Sequence, residues 1–402
     1  MMVVFSGGGT AGHFHPARNI AEALRGEVPR VQPYFVGTEG RIEAVELPGL
    51  GYPYRLLPVA GLRSPLGAMR RCGWGVRGVA GLFSAVAANA RALWLLARAV
   101  VRLVPDFRRQ GAAAVVVTGG YVSAPAGIAG RLLGLPLVVQ EQNRHAGRTT
   151  RLLARWASQI HLAYPEATAG LPGRARNRVV HSGNPIRPLP PVEERDRKDA
   201  RRALGLPATG SLILVVGGSQ GARKMNLATI EILQDDMPNE REFVLWVTGR
   251  AHHADAEAAL AGVSRDRCAI VPYLEPEAMY RALAAADLVV SRAGAMATSE
   301  FLAWGLPAIL IPLPTAAADH QAANARALEE AGAAVHLPER DDSGAELRGA
   351  RLWSEVRRLL GTPGLLAAMS EAARRRARPD AAREVAAAIA ELLGSHAAGA
   401  PS

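Results

Sequence analysis

The chain has 402 residues, 49% of them hydrophobic, and 47 Lys and Arg against 36 Asp and Glu give a formal net charge of +11. That length exceeds the usual single core and predicts two folded domains. The positive balance favours anionic partners (nucleic acid, phosphorylated substrates or an acidic membrane face), with scattered compositional drift toward Arg as the competing explanation.

In chain order the first half alternates strand and helix. Strands are expected at Met2–Phe5, Val31–Val36, Ala113–Val117 and Leu135–Val139, and helices at Pro16–Leu24, Leu82–Val104 and Ala124–Leu133. This is the βαβ pattern of a parallel sheet covered on both faces. The Pro-rich stretch Gly183–Pro191 ends the alternation and is expected to link two domains. Strands follow at Leu212–Val216, Phe243–Val247, Cys268–Val271, Leu288–Ser291 and Ala308–Ile311. A last helix is expected at Ala381–Leu393, with Val385, Ile389 and Leu392 on one face and a disordered tail from Gly394. Cys72 and Cys268 form neither a disulfide framework nor a metal spacing, which suits a reducing cytoplasm. The N-terminus carries no basic region or cleavage site, so no signal peptide is expected. The longest apolar run, Val79–Val104, is broken by Arg91, Arg98 and Arg102.

Glycine-rich turns follow both leading strands: Gly7-Gly8-Gly9-Thr10-Ala11-Gly12-His13 and Gly217-Gly218-Ser219-Gln220-Gly221. Free N–H groups at such a helix entry attract phosphate. The first loop satisfies G-x-G-x-x-G, and Glu39 stands roughly where a ribose-binding acid belongs, so a dinucleotide site is one reading. The other makes His13, in the first helical turn, a neutral base, because the positive helix end disfavours imidazolium. A capping histidine is the plain alternative. Gly119-Gly120-Tyr121-Val122-Ser123 is either a second ligand loop, with Tyr121 as donor, or an ordinary turn. Gln140-Glu141-Gln142-Asn143 lies at a strand's C-terminal end, where open α/β sheets bind ligands. In the second half Ser219 adds a hydroxyl to the loop, and charge-assisted bonds of roughly 1.5–3 kcal/mol each can hold a diphosphate without metal. No Asp-x-Asp pair is present to clamp one through a metal. Glu300 lies one to two turns into the helix after Ser291–Gly294, placed to accept from two ribose hydroxyls, and Asp319–Asn324 supplies further polar groups.

Taken in order, Gly8–His13, Gly119–Ser123, Glu141–Asn143, Gly183-Asn184-Pro185, Gly217–Gly221, Arg292–Ala295, Glu300 and Asp319–Asn324 resemble the MurG family of GT-B glycosyltransferases of peptidoglycan synthesis. The resemblance implies two Rossmann-like domains facing a cleft: an acceptor- and membrane-facing domain over 1–186, with helix 379–393 packed back on it, and a donor domain over 187–378. It implies transfer of N-acetylglucosamine from UDP-GlcNAc to the 4-hydroxyl of the muramoyl sugar of undecaprenyl-linked lipid I, with inversion and no cofactor or metal. The partners implied are the anionic inner-membrane surface and other cell-wall and division proteins, not nucleic acid, at the cytoplasmic face of the membrane. Carried over by position, Thr10, Ala11, Gly12, Asn143, Arg187, Ser219, Leu274, Ala295, Met296, Ala297, Thr298, Ser299, Glu300 and Gln321 would contact the donor, and His13, Tyr121 and Glu141 are the catalytic candidates. Three positions depart from the family pattern: Ala11 for glycine, Gln140 for a common His and Ala297 for a common Thr. The helix Leu82–Val104 carries Leu82, Val86, Leu93, Ala97, Val100 and Val104 on one side and Arg91, Arg98 and Arg102 on the other. That stripe either packs on the sheet or lies on lipid, and Arg63, Arg70, Arg71, Arg77 and Leu66–Trp74 are the expected membrane-attracted region. A different UDP-sugar transferase, a UDP-GlcNAc epimerase, a hydride-transferring dehydrogenase and a non-catalytic nucleotide-sugar binder remain as alternatives.

Overall fold

A computed structural model describes residues 1–64, 76–191, 196–218, 222–235, 238–316 and 319–398. The chain divides into two compact units, Met1–Arg187 with Asp380–Ser402, and Pro188–Pro379.

Unit 1 holds strands β1 (Met2–Ser6), β2 (Gln32–Thr38), β3 (Tyr54–Leu57), β4 (Ala112–Val117), β5 (Leu137–Glu141), β6 (Gln159–Leu162) and β7 (Val179–Val180). They form one parallel sheet in the order β3-β2-β1-β4-β5-β6-β7. The β-branched runs Val3–Val4 and Val115–Val117 are buried, as strands covered on both faces require. Helices α1 (Ala11–Glu27), α2 (Ile42–Leu50), α3 (Val76–Arg109), α4 (Ser123–Leu132) and α5 (Arg148–Leu153) supply that cover. One core joins β1, β2, β4 and α1 to Val385, Ala386, Ile389 and Leu393 of the C-terminal helix. That helix runs Ala381–Ala398, so residues 394–398, expected to be disordered, are helical.

Unit 2 repeats the design with β8 (Ser211–Val216), β9 (Glu242–Val247), β10 (Cys268–Val271), β11 (Leu288–Ser291), β12 (Ala308–Leu310) and β13 (Ala334–His336), all parallel in the order β10-β9-β8-β11-β12-β13. Both sheets therefore reverse direction at their first strand, β1/β4 in one and β8/β11 in the other. Such a switch point splays adjacent loops apart and opens a crevice at the strands' C-terminal ends.

Strands β3, β6, β7 and β13 and helix α2 escaped the sequence reading because they are short and polar-interrupted. The register of α3 also differs from expectation. Ala85, Ala92, Ala99, Leu103 and Phe107 form the buried stripe, since small alanines let the helix lie close on its neighbours. Val86, Leu93 and Ala97, expected on the packing side with Val100, are exposed, whereas Val100 is buried. Phe83 (70% exposed), Trp94 and Val101 (72%) extend that open apolar surface. By length and composition Ala80–Arg109 is sufficient to cross a membrane, although its alanine stripe docks it on unit 1.

Candidate active site

In unit 1 the loops after β1 and β4 pack into one another. A Cβ on Gly120 would lie 2.5 Å from the Gly8 carbonyl oxygen, and Gly119 and Gly120 hold φ of 93° and 75°, a region open to glycine. The ring of His13 stands against this pair: a Cβ on Gly119 would meet its Cδ2 at 2.8 Å. His13 Nδ1 lies 2.9 Å from Thr10 Oγ1, and Thr118 Oγ1 donates to the His13 carbonyl at 2.6 Å. In the tautomer whose Nδ1 donates to Thr10, Nε2 would be the ring's acceptor. Pro16, inside α1, cannot donate to the Gly12 carbonyl, which thus lacks its usual helical partner. The Tyr121 ring lies against Gly9 and Gly61, where added Cβ atoms would meet it at 3.4 and 3.2 Å.

The polar run begins inside β5, whose last two residues are Gln140 and Glu141. Gln140, Glu141 and Gln142 are buried, and Gln142 Nε2 donates to the Thr118 carbonyl at 2.7 Å. Gln140 points toward Gly183 and Asn184, so the departure from the family's His falls in a buried network. Asn19 Nδ2 ties the same segment through the Pro185 carbonyl at 2.7 Å. Glu141, expected as a catalytic group, bonds through both carboxylate oxygens. Its Oε1 accepts from the Asn143 amide and Nδ2, both at 3.1 Å, and its Oε2 from the Gly147 amide at 2.9 Å and Thr150 Oγ1 at 2.6 Å. Both oxygens are thus engaged in organising residues 143–150. In the first glycine loop the Gly9 amide donates to Glu43 Oε1 at 3.0 Å. Sequence reasoning missed Glu43, whose only signal is an acid in the first turn of α2.

In unit 2 the corresponding loops are open. Cβ atoms added to Gly218 or Gly294 would meet nothing within 4 Å. Ser219 lies outside the described residues. Helix α6 (Ala295–Trp304) starts directly after β11 and the turn Arg292–Gly294, and its first N–H groups have no carbonyl partner within the helix. Met296, Ala297, Ser299 and Glu300 are partly exposed, whereas Ala295 and Thr298 are buried. Thr298, expected beside the donor, spends its hydroxyl on the Gly294 and Ala295 carbonyls, each at 3.1 Å. Gln321 Oε1 accepts from the Leu313 amide at 2.9 Å, which leaves its amide nitrogen as the group to offer a ligand. Leu274 follows Tyr273, whose ring carries the Arg250 guanidinium 4.4 Å from its centre. Arg292 braces the turn by donating to the Ile311 and Pro312 carbonyls and pairing with Glu339.

The comparisons agree with this two-unit arrangement. The glycosyltransferase family 28 N-terminal domain matches residues 3–162 and its C-terminal domain residues 212–385. The chain belongs to glycosyltransferase family 28. Within that family it is 42% identical to the UDP-N-acetylglucosamine–N-acetylmuramyl-(pentapeptide) pyrophosphoryl-undecaprenol N-acetylglucosamine transferase of Salinibacter ruber, over 96% of this chain and 95% of that one. The transferase of the same name from Moorella thermoacetica is 38% identical, over 98% and 100%. Among solved structures, Acinetobacter baumannii MurG superimposes with a TM-score of 0.69 at 25% identity, covering 97% of this chain and 99% of that one. A Neisseria meningitidis UDP-GlcNAc 2-epimerase shares the fold, with a TM-score of 0.61 at 10% identity over 97% of this chain and 99% of that one. The near-full-length identity to these transferases, with both family 28 domains present, makes this chain an N-acetylglucosaminyltransferase of the GT-B fold.

Proposed function

We infer that the chain transfers N-acetylglucosamine from UDP-GlcNAc to the 4-hydroxyl of the muramoyl sugar of undecaprenyl-linked lipid I, inverting the anomeric centre and giving lipid II. The near-full-length 42% identity to a transferase of that name carries this reading. In it, His13 Nε2 takes the acceptor proton while Thr10 holds Nδ1, and Tyr121 lines the same edge. General-base help of this kind is worth about 10²–10⁴-fold. The departing diphosphate lies on the open Gly217–Gly218 turn and the N-terminus of α6, whose amides favour the charge that develops there. Glu300 accepts the ribose hydroxyls, the Tyr273–Leu274 backbone reads the uracil edge, and Asn143, Arg187 and Gln321 complete the donor contacts.

The same reading seats the protein peripherally on the cytoplasmic face of the membrane, in wall growth and hence in cell shape and division. Two features support the membrane contact. One is the exposed apolar surface of α3, with Arg98 stacked 5.2 Å from the Trp94 ring centre. The other is a pocket of about 530 Å³ lined by Arg148, Arg151 and Arg155 with Leu152, Gly170, Leu171 and Pro172. The residues Leu66–Trp74, also expected at the membrane, lie outside the described part.

Turnover of UDP-GlcNAc with a soluble lipid I analogue, with and without chelator, tests the reaction. Disaccharide product in both conditions is expected. Formation of UDP-N-acetylmannosamine without acceptor, or no turnover at all, refutes it.

A further inference from the structure

Glu43 is a buried acid that the reaction above does not use. It stands in the first turn of α2 with no exposed surface. Burying a carboxylate is costly unless its oxygens are bonded. Oε1 accepts from the Gly9 amide at 3.0 Å and the Thr38 amide at 3.3 Å, whereas Oε2 is buried with no partner among the described residues. Two glycines make room for it. A Cβ on Gly8 would lie 2.0 Å from Oε1, and one on Gly37 would lie 2.9 Å from the Glu43 Cβ.

A glycine loop before a helix attracts anions because its N–H groups are unpaired. In unit 1 the chain supplies its own anion from beneath. We propose that Glu43 is a positioning residue for the transfer reaction: it takes from inside the amide that a phosphate would take from outside, and so holds Gly9 where Thr10 can orient His13. The inference rests on His13 acting on the acceptor. The link is short, since Gly9 precedes Thr10 and Thr10 Oγ1 sits 2.9 Å from His13 Nδ1.

The experiment uses the full chain with Glu43→Asp and Glu43→Gln, assayed with UDP-GlcNAc and a lipid I analogue. Asp is one methylene too short to reach Gly9, whereas Gln keeps an oxygen at the Oε1 position. Misplacement of a reacting group by about 1 Å costs on the order of 10²-fold. The expected result is therefore a kcat loss of about 10- to 100-fold for Asp with donor KM unchanged, and rescue by Gln to within about threefold with the wild-type pH profile. Full activity of the Asp variant overturns the proposal. So does a loss seen in donor KM, which would put the donor's phosphates on this loop. If Asp does not fold, as judged by its melting curve, Gln decides alone. A loss above about tenfold with a shifted pH limb would mean that Glu43 itself exchanges a proton, and would also end the positioning role. Wild-type turnover in the same assay separates failure of this proposal from failure of the reaction assigned above.

Discussion

The two switch points carry nearly the same sequence signature and are built in opposite ways. After β1, Cβ atoms on Gly7 and Gly8 would lie 1.8 Å from Thr118 Oγ1 and 2.0 Å from Glu43 Oε1, so the loop is packed from within. After β8 and β11, Gly218 and Gly294 face empty space. The glycines of the first loop admit the protein's own atoms; those of the second leave room for a ligand's. A glycine motif thus reports close approach, and only its neighbours tell what approaches.

Substitutions at the two ends can break or sharpen this contrast. The largest effect is expected at the packed end. His13→Ala should lower kcat by about 10²–10⁴-fold while the melting temperature holds, and near-wild-type turnover would remove His13 as the base.

Next comes pH. Burial pushes the His161 imidazole from 6.5 down to about 4, and its Nδ1 has no partner among the described residues. The unfolded chain then binds the extra proton between those values. Stability from this group is full above about pH 6.5 and is lost as pH falls toward 4, by about 3 kcal/mol in all. Urea unfolding at pH 7 and pH 4.5 should show the loss in wild type and a shallower one in His161→Phe. Equal slopes would mean that the buried polar region under β6 tolerates charge.

At the open end, Glu300→Ala should raise the donor KM about 10- to 100-fold, the worth of a charge-assisted bond. Unchanged donor kinetics would take the ribose away from it. The contrast itself is tested by a pair. Gly8→Ala should cost about 1–3 kcal/mol through overpacking, whereas Gly294→Ala should change stability by no more than about 0.5 kcal/mol and show instead in donor KM. Similar unfolding penalties for both would erase the distinction.

The smallest effect is expected at the surface. Replacing Arg151 and Arg155 by Ala should weaken binding to vesicles of anionic lipid by about 1 kcal/mol per Arg, with no change on neutral vesicles. Equal binding to both vesicle types would argue against the Arg-lined pocket as a membrane contact.

Much of the fold was legible because buried parallel strands read as uninterrupted runs such as Leu212–Val216, and glycines mark the turns that end them. Short or mixed strands were not. Tyr54–Leu57 contains Arg55, and Gln159–Leu162 alternates polar and apolar residues, so neither stands out locally. Among the candidate residues, His13, Tyr121 and Asn143 sit at loops or a helix start beyond strand ends, and Glu300 lies in the second turn of α6. Bonding partners were less legible. Local pattern does not show that Glu141 ties residues 143–150 together or that Thr298 bonds its own helix.

By itself the sequence determined two nucleotide-fold units, their parallel sheets and the loops at their switch points, because those features follow from hydrophobic runs and turn residues within a few positions of one another. Only the tertiary structure decided that Glu43, 34 residues after Gly9, fills the first loop. It also decided that the α3 stripe facing the core is its alanines. Both depend on which segments the fold brings into contact, and local pattern carries no record of a partner contributed from elsewhere in the chain.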